Sequence, residues 1–141
     1  MRYFFIVLVL MALSFGGGFW WEHGRAESAR SKLNVANAQL AKANDDVRLC
    51  RLQDDLLTLV EDTGNKNYGD AATASTQFFN QLSAEIAQTN LPAVKSAMQS
   101  ILGQRDQVTA EIAKADPASH DTFVQMSATL HQAIQPVLSN P

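Results

Sequence analysis

The sequence predicts an all-α protein. Residues 25–62 hold neither glycine nor proline, so nothing interrupts a long helix there. Beyond them, apolar residues recur three and four apart in further segments, punctuated by Gly64, Pro92 and Pro117. No stretch shows the alternation of a half-buried strand. The expected architecture is a single N-terminal transmembrane helix, a helical stalk and an antiparallel, four-helix bundle.

The first element is an apolar run, residues 3–21, after a two-residue tail. It carries no charge and ends on Trp20 and Trp21, with Glu22, His23 and Arg25 just beyond. As a helix it would be about 28 Å long, close to the ~30 Å hydrocarbon thickness of a bilayer. Aromatic rings followed by charges suit a membrane interface. Seven of the chain's eleven aromatic residues fall in this part, leaving Tyr68, Phe78, Phe79 and Phe123 for the rest. The competing reading is a signal peptide cleaved after residue 16 or 18. Against it stand the single basic residue Arg2 before the run and a mature chain that would begin near Phe19-Trp20-Trp21. The short leading tail favours export of the C-terminal part, although Arg25, Arg30 and Lys32 pull the other way. The expected location is a cell membrane crossed once, with the C-terminal domain extracytoplasmic.

Residues 22–43 read as the stalk. Leu33, Leu40 and Val47 repeat every seven residues, and Ala36, Ala43 and Cys50 fall three after each. That is a thin a/d seam, and it makes a homodimer through the stalk an expected contact. Cys50 is the only cysteine, so an intermolecular disulfide is the one bridge open to it. From Leu49 the apolar face rotates to Leu52, Leu56 and Leu59, which suits a bundle helix.

The bundle is expected over residues 44–138, with residues 139–141 as a tail and helices at 44–63, 67–89, 91–115 and 117–137. Gly64-Asn65-Lys66-Asn67 closes the first, because glycine and asparagine tolerate the left-handed conformation of a helix end. Ala71, Ser75, Phe78, Phe79, Leu82 and Ile86 mark the buried face of the second, where one of the paired rings is expected in the core and the other outside. Asn90 ahead of Leu91-Pro92 starts the third, with Val94, Met98, Ile101, Val108 and Ile112 as its stripe. Asp116-Pro117 caps the fourth, whose face is Phe123, Met126, Leu130, Ile134 and Val137.

Charge and motif content narrow the function. Net charge is −3, without the basic excess that phosphate neutralisation needs, so no nucleic-acid partner is expected. There is no phosphate loop, nucleophile elbow or zinc-protease signature, so no enzymatic activity and no cofactor are expected. His120 and His131 lie too far apart along one helix to share a metal ion and read as solvated surface residues. Asp45-Asp46 and Asp54-Asp55 alternate with Arg48 and Arg51 at ion-pair spacings and read as ordinary helix-surface pairs. The acidic loop from Asp62 has its glycine out of register for calcium. Candidate partner contacts are Arg105, which interrupts an apolar stripe, together with Phe79 and Tyr68. The function expected is a membrane-anchored scaffold that docks proteins; the alternative is an extracytoplasmic sensor or ligand-binding bundle acting through a partner.

Overall fold

The computed structural model describes residues 2–139, with side chains described from Glu27 onward. These residues are helical almost throughout: α1 (Arg2–Gly64), α2 (Tyr68–Gln88), α3 (Pro92–Leu102), α4 (Arg105–Ala113) and α5 (Ala118–Leu138). The all-α class is therefore as the sequence predicts. Among the described residues no helix is long and apolar enough to cross a membrane. The expected anchor, residues 3–21, lies outside the residues whose side chains are described, as do the leading tail and residues 140–141.

The chain divides into two compact units, residues 1–44 and 45–141. In the first, every described side chain is exposed, Leu33 (64 %) and Leu40 (62 %) included.

The second unit is a helical bundle. Leu49, Leu52, Leu56 and Leu59 of α1 pack with Phe78, Phe79 and Leu82 of α2, Val94, Met98 and Ile101 of α3, Val108 and Ile112 of α4, and Phe123, Met126, Leu130 and Ile134 of α5. The α1 and α2 helices are antiparallel: a short turn joins them, yet Arg48, early in this part of α1, meets Glu85 near the end of α2. The α5 helix is antiparallel to α1 as well, because Gln53 meets Ser127 while Val60 meets His120. Helices α3 and α4 pack between α2 and α5.

The single helix expected over 91–115 is broken in two. At Gly103 and Gln104 the ladder tightens, and the Gln104 N–H reaches the carbonyl of Ile101, three residues back. Gly103 is a weak helix former, and Gln104 sits at φ −94°, ψ 0°. The break leaves the buried face intact, because Ile101 and Val108 are separated by two helical turns.

The helix ends differ from the sequence expectation in detail. At the end of α1 the left-handed residue is Lys66, at φ 63°, whereas Gly64 remains helical. The Asn67 N–H bonds the Asp62 carbonyl and the Lys66 N–H that of Thr63, the pair of bonds that defines a Schellman cap. Gly64 serves a different need: a Cβ there would stand 3.3 Å from the His120 ring. The end of α4 repeats the motif, with Ala115 at φ 51° and bonds from Asp116 to Glu111 and from Ala115 to Ile112. Asp116 then accepts the Ala118 N–H on its carboxylate, as a cap should. Asn90 plays no such part: Leu91 precedes α3, and its N–H bonds the Thr89 hydroxyl.

Candidate functional site

Three surfaces combine chemistry with accessibility. The first is the back of α1. Within the second unit, Val47 (49 % exposed), Cys50 and Asp54 face away from the Leu49–Leu59 stripe that enters the core. In the first unit Leu33 and Leu40, with Ala36 and Ala43, are equally uncovered. The structure therefore contains the expected seam residues, all of them on open helix surface.

The second surface is a polar groove of about 550 Å³ between α1 and α2, lined by Arg48, Arg51, Asp54, Asp55, Gln81 and Glu85 among others. Arg48 organises it. Its Nε donates to both Glu85 carboxylate oxygens, at 2.5 and 3.1 Å, and a terminal nitrogen donates to Asp45 at 2.6 Å. The Glu85 hydrogen bond, more than the Asp45 charge, raises the Arg48 pKa further. The expected same-helix pair is thus only half of the arrangement; the principal partner, buried Glu85, is on α2. Its phase could have revealed it, since it stands three residues after Leu82, on the apolar face of α2. Burial, helped by the neighbouring Asp54 charge, pushes the Asp55 carboxyl above its ordinary range, and Arg51 opposes this.

The third is an open apolar groove of about 600 Å³ between α1 and α5, lined by Gln53, Leu57, Val60, Val124, Ser127, Ala128 and His131. Gln53 donates to Ser127 across its floor at 2.9 Å. His131 is exposed here, as expected of it. His120 departs from expectation: it is half-buried, with Nδ1 3.1 Å from the Val60 carbonyl and near the Thr63 hydroxyl. The same carbonyl accepts from the Thr63 hydroxyl at 3.2 Å, so the ring joins a small polar cluster at the end of α1.

The three expected partner contacts do not form one exposed patch, although Arg105 and Phe79 meet. Arg105 is exposed at the start of α4, its guanidinium 5.9 Å from the centroid of the Phe79 ring. Phe79 is itself 1 % exposed and packs edge-on to Phe78, so both rings lie in the core and neither offers a face to a partner. The reason is the width of the buried face of α2: it touches α1 on one side and α3 and α4 on the other, and an arc of ~100° or more takes in two consecutive residues. Tyr68 is half-buried against the core. Among the described residues no cluster of histidine, cysteine and acidic side chains could hold a metal ion.

No family model matches the chain, and no curated protein and no solved structure matches it either.

Proposed function

We propose that this protein is a single-pass, membrane-anchored helical scaffold: residues 3–21 span the bilayer, residues 22–43 form a stalk, and the C-terminal bundle docks partner proteins outside the cytoplasm. The supporting observation is the contrast along α1. From Leu49 on, its leucines enter the bundle core except Leu57, which is 49 % exposed, whereas Leu33, Val35, Leu40 and Val47 before them are all 49–64 % exposed on a helix that begins in the apolar run. Leu33, Leu40 and Val47, seven residues apart, line up along the helix, and an exposed row of such side chains suits contact with protein. The bundle is read as four antiparallel legs, α3 and α4 together forming the third.

The alternative, a ligand-binding bundle acting through a partner, draws on the open groove between α1 and α5. Two measurements test the anchor and its orientation, and a third separates the readings. Alkaline extraction should leave the full chain in the membrane fraction, and protease added to sealed cells should digest it beyond Trp21. Release by alkali would remove the anchor. Photo-crosslinkers at Leu40 and at Val124 should capture protein from the first position and not from the second; small-molecule protection confined to Val124 would favour the ligand-binding reading.

A further inference from the structure

We propose that the back of α1 is covered by a second copy of this chain, as a parallel, in-register two-stranded coiled coil running from Leu33 to Cys50. This deepens the scaffold reading and rests on it, because two N-termini anchored in one bilayer can pair only side by side and at raised effective concentration.

The register comes from the sequence and the accessibility from the structure. With Leu33, Leu40 and Val47 at position a, Ala36, Ala43 and Cys50 fall at position d. Every one of these six side chains is exposed. Within the second unit, Val47 and Cys50 lie on the side of α1 opposite the core leucines, so the bundle leaves that stretch of the seam open. Layers of leucine or valine then alternate with small d layers, a pattern that lets the helices approach closely.

Charge selects the orientation. In this register Asp46 is at g and Arg51 at the following e. A parallel, in-register pair sets g of one helix beside the next e of the other, which joins Asp46 to the second copy's Arg51 twice, once on each side. Arg51 is exposed and Asp46 half-buried at the flank of the seam. An antiparallel pair brings e to e and g to g and forfeits both contacts. The seam also has a defined end. Asp54 takes the next a position and would face its own copy, and like charges across that layer stop the coil there. The bundles of the two copies separate beyond it, which leaves the apolar groove of each available, while Arg51 and Asp54 at the end of the coil also line the polar groove.

Parallel order places Cys50 opposite its counterpart at d, and antiparallel order does not. The test uses the full chain in membranes, treated with copper-phenanthroline in air. Two thiols then form one disulfide, and their two electrons pass through copper to dioxygen. Cys50 should give a dimer on non-reducing gels. In a Cys50→Ser background, Ala43→Cys at d should crosslink several-fold more than Ala38→Cys at the outward f position. Leu40→Asp should abolish the Cys50 crosslink while leaving thermal melting of the bundle unchanged. Arg51→Asp should weaken it, and the swap Asp46→Arg with Arg51→Asp should restore it. Equal crosslinking at residues 43 and 38, or no restoration by the swap, would overturn the proposal. A chain that resists alkaline extraction and yet fails to crosslink defeats the coil alone; one that is extracted by alkali and still crosslinks defeats the anchor alone.

Discussion

Ala115 holds a left-handed backbone, φ 51°, at the turn between α4 and α5. A side chain with a Cβ costs about 1–2 kcal/mol in that region, because Cβ crowds the following carbonyl. Glycine removes the clash but gives the unfolded chain more freedom, worth about 0.4–1 kcal/mol against folding. Ala115→Gly should therefore stabilise the bundle by about 0.5–1 kcal/mol, visible as a higher urea midpoint at unchanged slope. Asp55 yields a pH-dependent prediction. Its folded-state pKa is raised by burial and by Asp54. The charged form is therefore disfavoured in the folded state, and the penalty is fully present above the folded pKa and gone below the unfolded value of 3.8. Asp55→Asn should raise the melting temperature at pH 7, and the gain should shrink as the pH falls toward that value. A gain independent of pH would assign the effect to packing.

Between helices, the decisive contacts are the aromatic core and the Arg48–Glu85 bridge. Phe123 and Phe79 are both almost wholly buried, so Phe→Ala at either should cost about 3–5 kcal/mol, whereas Gln125→Ala on the outer face of α5 should cost under ~0.5 kcal/mol. Thermal melting of the three variants checks this, and a small shift for Phe79 would return that ring to the surface. Removing Arg48 strands a carboxylate on a residue only 7 % exposed, so Arg48→Ala should lower the melting temperature more than Asp45→Ala, whose carboxylate is largely solvated. Much of this was legible in the sequence. The stripes of α1 and α5 follow from the helical repeat, and all the apolar positions expected on them from Leu49 on are buried or half-buried. What escaped were features set by neighbours. Glu85 is polar on an apolar face because Arg48 waits across the gap. Phe79 is buried because α2 is flanked on two sides. A Cβ at Gly64 would stand 3.3 Å from the His120 ring, a closeness between residues far apart in sequence. Local spacing carries no signal of such pairings. The break at Gly103 was also hidden, because an intact seven-residue spacing across it mimics a continuous helix.

For the whole chain, the question is whether the bundle depends on what precedes it. Every core side chain lies at or beyond Leu49, and the side chains described before residue 45 are all exposed. The charged bridge is likewise complete within the second unit, since Asp45, Arg48 and Glu85 all belong to it. None of the described side chains of the first unit, residues 27–44, is buried, and burial of apolar surface is the main source of folding free energy. A chain beginning at Asp45 should therefore be soluble, helical and cooperatively folded. Some fraying at the new terminus is expected, because the first turn loses its helical neighbours. The loss should stay below about 1 kcal/mol, and for a domain of this size that corresponds to a fall in melting temperature of no more than ~4–8 °C. Circular dichroism melts of this chain and of one beginning at Glu22 decide the matter. A much lower or broad, non-cooperative transition in the shorter chain would mean that residues 22–44 brace the bundle. The same pair of chains compares self-association by sedimentation. If the seam from Leu33 to Cys50 holds two copies together, the longer chain should show concentration-dependent dimerisation and the shorter one, left with only Val47 and Cys50 of that seam, should remain monomeric.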